Sequence, residues 1–523
     1  MEKLKLQKLP LDLSTFKELR ESNYLYVDKT QYAYDLITGG RRFFLSRPRR
    51  FGKSLFVSTL KEILLGKKEL FEGLWIHSSD YQWKEHGVIA LDFSGLDITD
   101  EKTFGTHIHR KIESIAKSYN VELQLAEGIP GLALSLLVEK LHEKYGRVAI
   151  LIDEYDNPIL HALKDPVRAT AIRDRMQPFF ATIKALDEYV NFVFITGVSS
   201  FAKAGLFSGM NNLQILTLNE NFAGICGYTD EEIDRYFSDY IQTWADKEKI
   251  NYSELRTQIK QWYNGYHFGE DTVAVYNPFS FMNALHVKKF ENFWFQSGTP
   301  KFLIDVLKKE PLQFDDEKIE ISRDGLGTFD VGTTPIPALM FQTGYLTIKN
   351  YNKERNFFTL DYPNHEVKTT LQKHLLEVFT AVNANQVEQI VIRFRTMLED
   401  QKIEDAILLL KQLFAHIPYQ LHIKEERFYH ALLQMVCITA GMKAQSEYST
   451  SHGRIDLVLD LPKIIYVIEI KFNESAQIAL QQIEERRYYE QFLKSGKKVI
   501  LLGLAFKREP NNFDIEYVMK PLQ

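Results

Sequence analysis

Apolar positions along this chain fall into two textures. In the first two hundred residues, short runs rich in β-branched and aromatic residues alternate with longer stretches of helical spacing. Arg42-Phe43-Phe44-Leu45-Ser46, Val88–Phe93, Val148–Asp153 and Asn191–Thr196 read as buried strands. A helix is expected to stop at Gly39-Gly40, another to run from Leu55 to about Leu65, and a third near 170–187. Helical periodicity also fills much of 104–145, where Leu134, Leu137, Val138 and Leu141 recur three and four residues apart. Strands alternating with helices predict an α/β unit, a parallel sheet flanked by helices. From about 228 the texture becomes helical with aromatic-rich connections, Trp262-Tyr263-Asn264-Gly265-Tyr266 and Tyr276-Asn277-Pro278-Phe279, which predicts a mostly helical middle region acting as a lid. The last stretch reads as helix 424–440, a hairpin of Arg454–Leu461 and Ile464–Lys471, helix 475–494 and a final strand Lys498–Leu502, an αββαβ order. The expected partition is 1–225, 226–405 and 406–523.

The segment Arg47-Pro48-Arg49-Arg50-Phe51-Gly52-Lys53-Ser54 lies between a strand and a helix, where a phosphate loop (P-loop) belongs. Gly52 permits close backbone approach, Lys53 reaches the β- and γ-phosphates, and Ser54 holds Mg²⁺. Arg49, Arg50 and Phe51 complete the loop, although the pattern GxxxxGK[ST] asks for glycine where Arg47 stands. About 100 residues on, Val148–Ile152 ends in Asp153-Glu154, the Walker-B arrangement, with Asp153 toward Mg²⁺ and Glu154 toward the attacking water. Thr196, at the next strand end, is either a polar sensor of the γ-phosphate or one half of a Thr-Gly turn. The expected cofactors are therefore ATP and Mg²⁺.

A second constellation lies near the C-terminus. Asp456 follows Gly453-Arg454-Ile455, and Glu469 and Lys471 sit 13 and 15 positions later. Residues two apart share a strand face, so Glu469 and Lys471 must do so, and a short turn at Leu461-Pro462-Lys463 lets Asp456 join them. Two carboxylates at that spacing can ligate Mg²⁺ or Mn²⁺, with the ammonium beside a water aimed at a phosphodiester. Glu426 on the preceding helix is a further candidate metal ligand, and Gln482 on the following helix can orient the lysine or the phosphate. His430 is expected to pack within its helix. Arg427, Arg486, Arg487, Tyr488 and Tyr489 are candidates for a nucleic-acid groove or, equally, a mixed helix face.

Composition narrows the setting. At 523 residues, with 45% hydrophobic and 25% charged residues, the chain suits a soluble protein of two or three domains. A net charge of −5 gives no global basic footprint, so a nucleic-acid partner needs a local groove. Cys226 and Cys437 are too far apart in sequence for a CxxC zinc motif and fit a reducing compartment. No run approaches the roughly 18 apolar residues of a membrane span, so a cytoplasmic location without membrane partners is expected.

These motifs together, with Tyr26-Val27-Asp28-Lys29-Thr30, Leu91-Asp92-Phe93-Ser94, Ile152-Asp153-Glu154-Tyr155-Asp156 and Thr196-Gly197-Val198, span nearly the whole chain. The chain resembles a bacterial family of AAA-ATPase-like proteins with a C-terminal PD-(D/E)xK nuclease-superfamily domain, in which arginine at position 47 belongs to the family's own pattern. The resemblance implies a P-loop NTPase fold, a restriction-endonuclease-like C-terminal domain, and a layout like that of signal-transduction ATPases, in which a nucleotide switch controls an effector. AAA-like ATPases often form homo-oligomers whose neighbours complete each other's sites. The leading expectation is a nucleotide-regulated nuclease acting on nucleic acid, DNA before RNA. Its alternatives are a switch or scaffold whose C-terminal domain binds nucleic acid or protein without cutting, and an ATP-binding module that hydrolyses slowly.

Overall fold

A computed structural model describes residues 6–522 apart from 97–100, 124–127, 164, 201–204, 208–209, 211, 297–318, 328–334, 418–425, 451–452 and 510–511. The chain divides into two compact units, Met1–Phe302 with Ile319–Glu366, and Leu303–Lys318 with Val367–Gln523. This differs from the three segments suggested by texture: residues 226–296 and 319–366 pack within the first unit, and 367–405 within the second.

The first unit is organised by a five-stranded sheet of β1 (Arg42–Ser46), β2 (Val88–Asp92), β3 (Val148–Asp153), β4 (Val190–Gly197) and β5 (Gln214–Ile215). All neighbours are parallel, in the order β2-β3-β4-β1-β5. β1 and β3 are buried at every position, as their continuous apolar runs require when helices cover both faces. Helix α1 (Lys53–Leu64) leaves β1 and buries Phe56, Val57, Leu60, Ile63 and Leu64 at three- and four-residue spacing. Helix α2 (Pro130–Tyr145) buries Leu134, Leu137, Val138 and Leu141, and α3 (Pro166–Ala185) runs into β4.

Beyond the sheet, helices α4 (Asp230–Tyr236), α5 (Ser238–Glu248), α6 (Tyr252–Tyr263) and α7 (Pro278–Val287) close a second core around Ile233, Phe237, Trp244, Ile259, Tyr263 and Phe281. The aromatic motifs belong to this core. Tyr276 is fully buried, and its hydroxyl meets Arg256 and donates to Asp230 at 2.8 Å. Gly265 adopts φ +97°, and a Cβ there would lie 2.1 Å from the Pro363 carbonyl oxygen, so the Asn-Gly step is a steric requirement. Asn277 caps α7 by accepting from Ser280 N–H at 3.1 Å. The middle region is helical as expected, with an unexpected addition: a small antiparallel sheet of β6 (Ile319–Ser322), β7 (Thr347–Asn352) and β8 (Phe357–Asp361), in the order β6-β8-β7. Only one face of these strands is apolar and each is short, so their periodicity was weak beside the surrounding helices.

In the second unit, helices α8 (His365–Thr380), α9 (Ala384–Glu399), α10 (Ile403–Ala415) and α11 (Glu426–Thr439) precede a five-stranded sheet. Its strands are β9 (Lys443–Thr450), β10 (Gly453–Asp460), β11 (Ile464–Phe472), β12 (Lys498–Glu509) and β13 (Asn512–Leu522), in the order β13-β12-β11-β10-β9. β11 and β12 are parallel, linked by α12 (Ala476–Glu485); the other neighbours are antiparallel. Two expectations are corrected. The helix expected over 475–494 ends at Glu485, because Arg487 turns to φ +51° and Tyr488 folds back into the core. The strand expected to finish at Leu502 continues to Glu509, and β13 returns along it.

Candidate active sites

The parallel register brings three strand ends together. Ser46 pairs with Gly197 and Ile152 with Ile195, so β4 lies between the strand feeding the P-loop and the strand ending in Asp153. Ligands bind at this carboxyl edge in open α/β sheets. Gly52, at φ +91°, turns the chain into α1, whose first N–H groups have no side-chain cap. The Lys53 ammonium donates to the carbonyls of Arg47 and Pro48 at 2.9 and 3.0 Å, and burial lowers its pKa. Asp153 and Glu154 shift the other way, chiefly through burial, and the Ser54 hydroxyl hydrogen-bonds to Asp153. Glu154 adopts φ +49°, left-handed backbone that is strained for a side-chain-bearing residue, right after the strand. The Thr196 hydroxyl is fully buried and has no hydrogen-bond partner among the described residues. Phe51 is buried edge-on to Tyr266 and Phe268, the Arg50 guanidinium lies 4.8 Å from the Phe279 ring centre, and Trp294 donates to the Arg49 carbonyl at 3.3 Å.

Arg47, a departure from the general P-loop pattern, is the anchor of the loop. Its side chain is 1% exposed, donates to the carbonyls of Ser46, Thr217 and Phe222 at 2.9, 2.9 and 3.1 Å, and stacks on Phe268 at 4.0 Å. A glycine there would take from the buried Thr217 carbonyl its donor and leave a cavity behind. Arg47→Gly, which restores the general P-loop glycine, is therefore expected to destabilise the first unit by about 3 kcal/mol or more. Urea unfolding checks this, and an unchanged midpoint would refute the anchoring role. Asp156 was also not singled out for a role. Its fully buried carboxylate accepts from Val198 N–H, Ser199 N–H and the Ser199 hydroxyl, fixing the turn that follows Glu154.

In the second unit the hairpin pairs Leu457 with Ile468, and continuing that register sets Asp456 opposite Glu469. Asp456 Oδ2 accepts from Ile470 N–H at 2.8 Å, and His430 Nε2 lies 2.8 Å from the Asp456 carbonyl, so His430 steadies the strand at that point. Glu469 is 1% exposed; Gln482 donates to its Oε1, while its Oε2 is buried with no hydrogen-bond partner among the described residues. Burial and the facing Asp456 carboxylate push Glu469 well above the usual carboxylate range. The Lys471 ammonium sits 3.7 Å from Glu469 Oε1 and 3.9 Å from Glu426 Oε1. All five predicted residues thus lie near one another. Lys471 stands between Glu426 and Glu469, and among the described residues no group of three His, Cys, Asp or Glu side chains is arranged around a common metal position. Glu426 lies beside the lysine, and Asp456 and Glu469 form a carboxylate pair across the hairpin. That pair fits a hard cation: Mg²⁺ characteristically takes one or two carboxylates and keeps several waters, and Glu469 Oε2 has an acceptor to offer.

The candidate groove residues divide. Tyr488 is 4% exposed, Tyr489 packs on the same core, and Arg487 pairs with Glu490 at 2.5 Å. Arg486 and Arg427 are exposed. Among the described residues no helix is long and apolar enough to cross a membrane, and both cysteines are free and buried.

Two family models cover the regions that hold these sites. Residues 10–207 match a family model described as a predicted AAA-ATPase, and residues 424–515 match one of the PD-(D/E)XK nuclease superfamily. A protein of Azotobacter chroococcum mcd 1, described as "Uncharacterized protein in vnfD 5'region", is 34% identical over 516 residues, covering 96% of this chain and 97% of that protein. A solved structure of the Aeropyrum pernix ORC1 protein in complex with DNA overlaps 66% of this chain and 91% of its own, at 12% identity and a TM-score of 0.25. The chain belongs to the family of AAA-ATPase-like proteins that carry a PD-(D/E)XK nuclease-superfamily domain at the C-terminus.

Proposed function

We propose that this protein binds and hydrolyses ATP and that its C-terminal domain is a metal-dependent nuclease, cleaving nucleic-acid phosphodiesters, DNA before RNA, under control of the nucleotide. The observation that carries the reading is the convergence of Asp456, Glu469 and Lys471 on one hairpin edge, with a buried, unpartnered oxygen on Glu469. Asp456 and Glu469 would hold Mg²⁺ or Mn²⁺, which supplies Lewis acidity and a water of lowered pKa. Gln482 donates to Glu469 Oε1, so its second oxygen would be the one to meet the cation. Lys471 presents its ammonium beside the carboxylates, where it orients the attacking water and steadies charge on the phosphate.

In the first unit, Lys53 is held by loop carbonyls that phosphate oxygens would replace as its partners. Ser54 and Asp153 would hold Mg²⁺, Glu154 orients the hydrolytic water, and the Thr196 hydroxyl is available to report on the γ-phosphate. Gly52 and the backbone of Phe51 shape the cradle, with Arg49 and Arg50 beside it.

Supercoiled plasmid with Mg²⁺ or Mn²⁺, with and without ATP, tests the reading. Wild type is expected to nick or linearise it, Lys471→Ala to fail, and Lys53→Ala to lose the response to ATP. Cleavage surviving in Lys471→Ala would refute the assigned site, and cleavage indifferent to Lys53→Ala would refute nucleotide control.

A further inference from the structure

The hairpin that carries Asp456 and Glu469 is not zipped to its end. Pairing between β10 and β11 runs from Asp460–Ile465 to Leu457–Ile468. Beyond it, two side chains take up backbone groups beside the carboxylate pair. Asp456 Oδ2 accepts from Ile470 N–H at 2.8 Å, and His430 Nε2 meets the Asp456 carbonyl at 2.8 Å. A carbonyl only accepts, so Nε2 carries the hydrogen and donates it. The two carboxylates are not held alike. Glu469 lies on β11, between β10 and β12, in register with Gly503 of β12. Asp456 lies on β10, whose other neighbour, β9, is an edge strand. The bond from Ile470 engages the very group that a cation would claim, whereas the bond from His430 fixes the same residue through its main chain.

Helix α11 is a firm base for that bond. Tyr429 stacks on Phe472 and Phe506, with ring centres 5.3 and 4.9 Å apart, which seats the helix on β11 and β12. Glu426 stands one turn before His430 on the same helix face and lies 3.9 Å from the Lys471 ammonium. One face of α11 thus touches β10 at Asp456 and β11 at Lys471, on both sides of the unzipped step. Resting on the nuclease reading above, we infer that His430 is a positioning residue for the metal pair. Through the Asp456 carbonyl it fixes the separation of Asp456 and Glu469 that a shared Mg²⁺ or Mn²⁺ requires, and it touches neither cation nor substrate. Loss of a buried donor destabilises a fold by leaving its acceptor unpaired. The positioning role adds a loss of metal affinity, which a purely structural bond would not produce.

Calorimetry of Mn²⁺ binding to the full-length protein without nucleotide, beside urea unfolding without divalent cations, tests this. Glu469→Gln identifies the binding that belongs to this site. His430→Phe fills the space without a donor and is expected to weaken that binding about ten-fold or more, the range typical of groups that support metal ligands. His430→Gln sets an amide N–H where Nε2 stands and is expected to recover most of the affinity. Plasmid cleavage by His430→Phe should need correspondingly more Mn²⁺ and approach the wild-type rate at saturation. His430→Asn, whose shorter amide stops short of the carbonyl, takes the place of His430→Phe should that variant not fold. Wild-type Mn²⁺ affinity in the donor-less variant, whatever its urea midpoint, would overturn the positioning role and leave the nuclease reading standing. So would a His430→Gln protein as weak as His430→Phe. A wild type that neither binds Mn²⁺ at this site nor cleaves plasmid would instead overturn the nuclease reading beneath it.

Discussion

Glu469→Gln is expected to lower plasmid cleavage by at least about a thousand-fold and, at the same time, to raise the resistance of the second unit to unfolding. The first effect follows from position. Glu469 is the one carboxylate of the hairpin that is fully buried, opposes Asp456 and keeps an oxygen without a partner. An amide offers one neutral oxygen there, so the cation site loses a full negative charge. Changes to mere supporting partners of metal ligands already cost 10–100-fold. The second effect has the same origin. A buried carboxylate facing another carboxylate is held in place against its own desolvation, and a neutral group of the same shape relieves that. Urea unfolding without divalent cations should shift upward in the variant, whereas Mg²⁺ should stabilise only the wild type. A variant that cleaves normally, or that still gains stability from Mg²⁺ as wild type does, would remove Glu469 from the metal pair.

The second large effect is expected at the other site. Glu154→Gln should bind ATP as tightly as wild type yet hydrolyse it some 10²–10⁴ times more slowly, the usual contribution of a positioned general base. The separation rests on geometry. Asp153 is engaged by the Ser54 hydroxyl and by the Glu154 N–H at 2.9 Å, so the binding groups do not depend on the Glu154 carboxylate. Glu154 itself is held at φ +49° by the buried Asp156 turn, which sets its side chain at the strand end. Steady-state phosphate release with parallel binding measurements checks this; turnover matching wild type would assign the base elsewhere.

Much of the architecture was legible because burial leaves a strong imprint. Val148–Asp153 is buried at every position, and its run of Val, Ala, Ile and Leu can be read directly. The hairpin carrying Asp456 and Glu469 was equally readable, since Ile464–Ile470 is buried throughout and register follows from a short turn. What escaped lies where burial is one-sided or where partners are distant. β9, Lys-Ala-Gln-Ser-Glu-Tyr-Ser-Thr, sits at a sheet edge and has no apolar run to announce it. The bond from His430 to the Asp456 carbonyl joins residues 26 positions apart on different elements, so the histidine looked like ordinary helix packing. The role of Arg47 depends on carbonyls some 170 residues away. No local spacing encodes such meetings.

Arg47 also separates two kinds of border. The match to the AAA-ATPase family model ends at residue 207, but Arg47 finds its acceptors at Thr217 and Phe222 and its aromatic partner at Phe268. A fragment trimmed to the recognised stretch would keep every nucleotide motif while stripping a buried guanidinium of the groups that make its burial tolerable. Such a fragment should be insoluble or unable to hold nucleotide, and its silence in an assay would say nothing about the intact chain. The stretch that identifies this domain is thus shorter than the stretch that folds it, and the smallest autonomous nucleotide-binding piece must extend past Phe268.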